Sequence, residues 1–589
     1  MCGIIGCIGV KNAPEVIYEG LKRLEYRGYD SAGCAFLSHG KITVVKREGR
    51  VEKLLPLLKG LKADMGIGHT RWATHGLPSD ENAHPHSAGG ISIVHNGIIE
   101  NYLPLKEDLI LKGVKFLSDT DSEVVAHLIA QNYDGDLLKA LFKTVKLLKG
   151  SYALMAICED EERIVVAKNK SPVILGLGDG QYFCASDEPA LAGLADKISV
   201  LEDGDFAELT AHGVKIFDES LQPVSREVSP NLAVCQSLGL DGCPHYMLKE
   251  LREVPMSIEA THKAFNSIEA KLSKALKDVT RIIITGCGTA YHASLIGKRY
   301  FECFARIPVE CETAGELRYK NPVMDANTAV FAVSQSGETA DTVEVARLAL
   351  SMGARVIAVT NSRLSQLTRL ATVVVPVASG PEICVCATKS YTGQITALYL
   401  SAIVLAGESL DGDRAKELLK IPPVCRSTLE SLDMRSLAHV CASSTGVYFM
   451  GRDIDYAVAL EGSLKLKEIT YIPGEGYPSA ELKHGTLALI DVNVASIFII
   501  TDPALAGKSE NAVEQVLSRG GKVAVITTVK EVKERLSNKL QVILLPECDK
   551  YLSPLVTAVA IQTLAYKTAV VLKRDPDKPR NLAKSVTVE

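Results

Sequence analysis

Over the first 225 residues apolar and polar positions alternate in short runs, as in 91-ISIVHNG, 152-YALMAIC and 163-RIVVAKN, separated by Gly, Asn and Asp turns. A period of two predicts strands. Helical spacing interrupts them at 13-APEVIYEGLKRLE and 122-SEVVAHLIAQ, so this part reads as a mixed, sheet-rich α+β domain. The segment 221-LQPVSREVSPNLAVCQSLGLDGCPHYM loses periodicity and carries Pro, Ser and Gly, which marks a linker. From residue 281 onward Val- and Ile-rich strands such as 329-AVFAVS and 355-RVIAVT alternate with Ala- and Leu-rich helices such as 340-ADTVEVARLALSMG. That order predicts βαβ units on a parallel sheet. The expected organisation is a first domain over 2–225, a linker over 226–245, α/β domains over 246–421 and 422–573, and a tail over 574–589.

The two α/β domains read as copies. The stretches 282-IIITGCGTAYHASLIGKRY and 447-VYFMGRDIDYAVALEGSLK align Gly286 with Gly451, Tyr291 with Tyr456 and Gly297 with Gly462, each 165 apart. A second block, 351-SMGARVIAVT, lies 167 before 518-SRGGKVAVIT. The copies differ at one loop, 334-SQSGET in the first and 501-TDPALA in the second.

Composition narrows the function classes. At 589 residues the chain is too long for one core and suits about three domains. With 47% hydrophobic and 23% charged residues it fits a globular protein rather than a disordered one. Basic and acidic residues, 65 against 70, are spread along the chain and leave no basic field for nucleic acid. The longest apolar runs, 494-VASIFIIT and 397-ALYLSAIVLAG, fall short of the ~18 residues that span a bilayer, so neither a transmembrane helix nor a membrane partner is expected. The start MCGIIGCIGV lacks a basic region and a small-residue cleavage pattern, which predicts no signal peptide and a cytoplasmic protein. Fifteen cysteines without a C-x-x-C pair fit a reducing compartment and neither a disulfide framework nor a zinc ribbon.

Candidate chemistry begins at Cys2. Behind Met1, a residue this small lets the initiator be removed, leaving a thiol and a free α-amine on one residue. An α-amine with an ordinary pKa of about 7.7–8.0 can take the thiol proton near neutrality. Downstream lie 24-LEYRGYDSAG, 70-TRWATHG and 95-HNGIIEN, polar and aromatic blocks flanked by glycine in a strand-rich region. In the first α/β copy, 285-TGCGTAYH ends a strand and opens a helix, but Tyr291 stands where a dinucleotide fingerprint needs glycine. The loop 334-SQSGETADT offers hydroxyl and backbone donors at a helix start, without a Walker lysine, and suits a phosphate monoester. In the second copy Glu461, Lys465 and Glu468 share one helical face, followed by His484 in a Gly-bounded loop. On composition alone 574-RDPDKPRNLAKSVTVE is a frayed tail.

The N-terminal blocks resemble the class II glutamine amidotransferases with an N-terminal nucleophile cysteine. The resemblance implies a fold of stacked antiparallel sheets between helices, with Cys2 attacking the glutamine amide. It gives Asn96 and the backbone of Gly97 the oxyanion hole, Arg71 the glutamine carboxylate and Asp121 its ammonium. Thr74 and His75 would line the pocket, Arg27 sit in a loop closing over it, and Trp72, the one tryptophan, gate the exit of ammonia.

Across both ends the blocks 24-LEYRGYDSAG, 70-TRWATHG, 334-SQSGETADT, 460-LEGSLKLKEI, 481-ELKHG and 580-RNLAKSVTVE resemble the isomerizing glutamine:fructose-6-phosphate aminotransferases, in which the glutaminase precedes two sugar isomerase (SIS) domains with parallel sheets. This resemblance assigns Thr289, Ser334, Gln335, Ser336 and Thr339 to the sugar phosphate, and His484, supplied by a neighbouring subunit, to ring opening. Lys584 would form a Schiff base with the ketose and Glu468 move the proton between C1 and C2, with Glu461 and Lys465 in support. Lys584 must then lose its charge, for which a lowered pKa is expected. Ala290 and Ala387 depart from the family, where serine is common. The resemblance implies L-glutamine and fructose 6-phosphate as substrates, ammonia passed through an interdomain tunnel, glucosamine 6-phosphate as the product that opens hexosamine synthesis, no metal or organic cofactor, and a homodimer through the SIS domains. A fructosamine-phosphate deglycase would fit the SIS half but not Cys2 and 70-TRWATHG; a sugar-phosphate sensor would not need Glu468, His484 and Lys584.

Overall fold

The computed structural model describes residues 2–231 and 239–587. The chain divides into two compact units, the first made of residues 1–238 with 585–589 and the second of residues 239–584.

The first unit is built on two antiparallel sheets. Among the described residues one sheet has eight strands, with Gly3–Ile8 paired to Met65–Arg71 on one side and Tyr182–Ala185 on the other. The other has seven, with Ile91–Ile99 beside Gly150–Cys158. Ile4, Ile8 and Ile67 of the first sheet pack against Val94, Met155 and Val166 of the second, and that apolar layer holds the sheets face to face. The alternate residues of the second sheet, Ile91, Ile93, Leu154 and Ala156, point the other way onto Val125, Ile129 and Leu141 of helices Glu123–Asn132 and Leu137–Val145. Helix Ala13–Leu24 starts on Pro14, carries Glu15 in its first turn and Lys22 and Arg23 in its last, as the helix dipole favours, and covers the outer face of the first sheet. With both faces covered, Gly3–Ile8 is buried throughout, and period two disappears from its sequence.

The strand Val228–Pro230 pairs with Lys197–Val200, so the start of the segment read as a linker belongs to a sheet. Helix Tyr246–Arg252 follows the segment, whose residues 232–238 lie outside the described residues.

The second unit holds two parallel sheets of identical order. In the first the order is Val309–Thr313, Arg281–Gly286, Thr328–Val333, Arg355–Thr360, Val373–Pro376; in the second it is Gly474–Pro478, Gly446–Gly451, Val494–Ile500, Lys522–Thr527, Gln541–Leu544. The duplication extends to the backbone: Gly288 has φ 54° and ψ −123°, and Asp453, 165 residues on, has φ 53° and ψ −122°. Glycine tolerates this conformation and aspartate is strained in it. In each sheet the order reverses between the first and third strands in sequence, and ligands of such sheets bind beyond the carboxyl ends of the strands at that point.

Helix Ser553–Val571 is long and apolar enough to span a bilayer, a correction to the expectation that no segment would be. Its Thr, Gln, Tyr and Lys residues break the apolar run in the sequence. The helix is buried against Ile454–Thr470 and Arg435–Ala442, and a core helix covered on all sides has no polar face to show.

Candidate active site

In the first unit the site forms where the two sheets bring their polar ends together. The Trp72 peptide brackets the Cys2 thiol: its N–H lies 3.3 Å from Sγ and its carbonyl 3.5 Å. Burial pushes the thiol pKa up, while the Trp72 N–H and the charge of Arg71 oppose that. The Cys2 carbonyl is held by Asn96 Nδ2 at 3.0 Å and by Arg27 Nε at 3.2 Å. Asn96 stands opposite Ala153 on its strand, and its Oδ1 is buried with no hydrogen-bond partner. Gly97 follows at φ 132°, where a Cβ would lie 2.0 Å from the Ser151 carbonyl, so the chain here admits only glycine.

Arg71, at the end of Met65–Arg71, donates to the carbonyls of His75, Gly76 and Leu77 and so holds the loop that carries Thr74 and His75. Asp121 accepts the Ile99 N–H at 2.8 Å. Arg27 is buried and ion-paired to Asp187 at 2.6 Å, a fixed anchor for the Cys2 backbone in this structure. Asp187 was not legible as a partner, being 160 residues away. Behind the site His69, His84, His86 and His95 are buried together, with His69 stacked on His84 at 4.0 Å between ring centres and His86 at 4.6 Å from His84. Burial holds all four below the usual histidine range, His86 at about 3. Among the described residues no group of His, Cys, Asp and Glu side chains is arranged to hold a metal ion.

In the second unit the strands Arg281–Gly286 and Thr328–Val333 end at the reversal point of the first sheet, and 334–339 follows the second of them. Ser334 Oγ accepts the Gly337 N–H at 3.0 Å and meets Thr339 Oγ1 at 2.9 Å, while Ser336 Oγ accepts the Glu338 N–H at 3.2 Å. Gln335 contributes its carbonyl to Asn361 N–H. The loop thus ends on Thr339, the N-cap of helix Ala340–Ser351, which turns its first N–H groups toward the same loop. Thr289 opens helix Thr289–Tyr300 and donates to Glu461 Oε1 at 3.1 Å.

Glu461, Lys465 and Glu468 share one face of helix Ile454–Thr470. Lys465 Nζ lies 3.5 Å from Glu461 and 2.7 Å from Glu468 Oε2, and Glu461 also meets His292 Nδ1 at 2.7 Å. The Cys386 thiol donates to the same Glu468 Oε2 at 3.1 Å. Oε2 of Glu468 is therefore doubly engaged. Neither His292 nor Cys386 was read from the sequence, since each reaches the row only through tertiary packing.

Residues 574–584 of the tail pack on this unit. Arg574 and Arg580 lie over the Tyr471 ring at 4.5 and 4.4 Å, and Asp577 accepts the N–H groups of Tyr246 and Met247 at 2.7 and 2.8 Å. Lys584 is buried and donates to Glu382 Oε2 at 2.5 Å. Its pKa is raised, because the charge and hydrogen bond of Glu382 foremost outweigh desolvation, so the expectation of a lowered value is overturned for this state. His484 is exposed, at the end of the short turn Glu481–His484.

The corresponding place in the second copy is filled differently. Asp455, 165 after Ala290, places its carboxyl on Thr501, accepting Thr501 N–H at 2.8 Å and Oγ1–H at 2.5 Å, with Ser553 Oγ 2.8 Å from the same hydroxyl. A side-chain acid fills the corresponding cradle.

A cysteine-centred glutaminase fold joined to a duplicated sugar-phosphate isomerase fold defines the class. Residues 69–193 match the glutamine amidotransferase domain model, and 275–404 and 442–572 each match the SIS domain. The chain is 44% identical over 608 residues to the glutamine–fructose-6-phosphate aminotransferase [isomerizing] of Thermus thermophilus and 44% over 597 to that of Aquifex aeolicus, covering 100% of both chains in each case. The solved C-terminal domain of the Francisella tularensis glucosamine-fructose-6-phosphate aminotransferase is similar to 58% of the chain and is itself covered completely, at 32% identity and a TM-score of 0.55. The chain belongs to the isomerizing glutamine–fructose-6-phosphate aminotransferase family.

Proposed function

We propose that the chain converts L-glutamine and fructose 6-phosphate to L-glutamate and glucosamine 6-phosphate. The carrying observation is that one chain holds a thiol bracketed by a backbone amide beside Arg71 and Asp121, and a buried Glu461–Lys465–Glu468 row with Lys584 in its second unit.

In this reading the Cys2 thiolate attacks the side-chain amide, and Asn96 Nδ2 and the Gly97 N–H stabilise the oxyanion. Ammonia leaves, and water hydrolyses the thioester to glutamate. Arg71 and Asp121 fix the two ends of the amino acid, with Thr74, His75 and Trp72 around it and Arg27 holding the Cys2 backbone. Ammonia needs an enclosed route to the sugar, since protonation in water would make it useless as a nucleophile. On the sugar, Ser334, Gln335, Ser336, Thr339 and Thr289 receive the phosphate, supported by their place at the reversal point of the sheet. Lys584 forms the Schiff base and Glu468 moves the C1–C2 proton, with no metal or organic cofactor. The exposure of His484 supports its delivery to the site of a second copy in a homodimer. The burial of Ser553–Val571 supports a helix that packs inside the protein rather than across a membrane. The test is formation of glucosamine 6-phosphate by the purified protein from the two substrates; glutamate release without amino sugar would overturn the reading.

A further inference from the structure

We infer that Glu250 and Glu382, bridged by the Thr388 hydroxyl, form a proton-sharing pair that takes the ammonium proton of Lys584 and frees its amine for the ketose carbonyl. The inference deepens the proposed function and rests on its assignment of Lys584.

The geometry carries it. Glu382 Oε2 accepts from Lys584, and Oε1 accepts the N–H groups of Thr388 and Ser390 at 2.9 and 3.0 Å. Glu250 Oε1 accepts the N–H groups of Ile383 and Cys384 at 2.6 and 2.9 Å. Between the carboxyls stands Thr388 Oγ1, 3.0 Å from Glu250 Oε2 and 3.3 Å from Glu382 Oε1. A hydroxyl has one hydrogen and donates to one of them. Its contact with the other is favourable only if that carboxyl carries a proton and donates. Both acids and Thr388 are buried, where two neighbouring carboxylates cannot both ionise cheaply.

The proton belongs on Glu250. Burial, and then the charge of Glu382, pushes it up to about 8, whereas Lys584 and Ser390 overcome burial to hold Glu382 down at about 2. Other titratable groups around the pair are the Cys384 thiol and the Tyr246 hydroxyl, whose pKa values burial raises, and Asp577 of the tail. The cluster therefore starts with one positive charge on Lys584, one negative on Glu382 and none on Glu250. An N–H bond of Lys584 breaks and an O–H bond forms on Glu382, leaving all three neutral. The freed lone pair attacks C2, and one of the two protons then on the nitrogen passes to the new alkoxide to give a neutral carbinolamine. When the carbinolamine expels its oxygen, Glu382 returns the proton to make water, and the iminium cation faces a Glu382 carboxylate again. Net charge is conserved throughout. An ionised Glu250 would add a negative charge that binds the Lys584 proton more tightly. Glu250 acts as a positioning residue, because it reaches Lys584 through Thr388 and Glu382.

The test is the rate at which borohydride traps fructose 6-phosphate on Lys584, followed against pH in Glu250→Ala and Glu250→Gln, with melting temperature as the check on folding. Glu250→Ala is expected to slow trapping about ten- to a hundredfold. Glu250→Gln, which keeps an acceptor for Ile383 and Cys384 and gains a donor for Thr388, is expected to restore the rate to within about threefold. Wild-type trapping should fall above about pH 8, where Glu250 ionises, and the Gln variant should not share that limb. A Gln variant as slow as the Ala variant, or one with the wild-type alkaline limb, overturns the inference. Absence of any adduct on Lys584 in the wild type overturns the Lys584 assignment instead. The pair is then judged by infrared difference spectroscopy of the ligand-free protein: a carboxylic-acid band at neutral pH that Glu250→Gln removes sustains it, and no such band refutes it.

Discussion

Thr289 Oγ1 donates to Glu461 Oε1 across 172 residues of sequence, joining the first turn of a helix in one repeat to the helix Ile454–Thr470 of the other. In the proposed reading the sugar site is shared by both copies, the first contributing the anion loop and the second the acid and base groups. Thr289→Val should remove this link without changing volume. A weaker KM for fructose 6-phosphate with a smaller change in kcat is expected, by about tenfold for one charge-assisted hydrogen bond.

Cys2→Ala should abolish glutamine hydrolysis and leave fructose 6-phosphate binding intact. Glutamate release and calorimetric titration of the sugar read the two halves separately. The same assignment requires a free Cys2 amine, so active protein should lack Met1 in an intact-mass measurement.

Lys584→Ala should lose synthesis while still hydrolysing glutamine slowly, and reduction of the wild type with fructose 6-phosphate should leave its adduct on Lys584. Peptide mapping decides between this lysine and Lys465, which is also buried and is held by Glu461 and Glu468.

Gly97→Ala forces a Cβ to 2.0 Å from the Ser151 carbonyl at φ 132°. Backbone strain of about 1–3 kcal/mol is the minimum expected, and the strand must also separate from its neighbour. Melting of the glutaminase unit should fall, and hydrolysis should drop with it because the oxyanion donors move.

The four buried histidines set an acid limit. Their folded pKa values are depressed, so the neutral forms favour the fold. That stability is complete above the unfolded value of about 6.5 and is lost as pH falls toward the folded values, about 3 for His86. Glutaminase activity and unit melting should decline together below about pH 6, and His86→Asn should soften the decline.

Much of this was legible as pattern. Period two exposed the antiparallel sheets, βαβ order the parallel ones, and the offset of 165 between Gly286 and Gly451 the duplication. What escaped was contact across distance. Glu382 sits in 380-GPEICVCATK, which has no periodicity, and its meaning depends on Lys584 arriving 202 residues later. Trp72 serves Cys2 through its peptide N–H and carbonyl, groups that no side chain reveals. Lys584 itself was legible only by resemblance, since a charged tail with two prolines gives no local sign of the ring stacking that anchors it.

The carboxyl of Asp455, bound to Thr501, has a consequence for how a duplicated domain ages. Burial raises its pKa to about 7, so it can satisfy the cradle either as an anion or as an acid. The second copy is in effect born occupied. Its cradle is held by the chain's own carboxyl, so no anion is needed there to satisfy the Thr501 N–H. Inorganic phosphate should then raise the resistance of the first copy to proteolysis and leave the second unchanged.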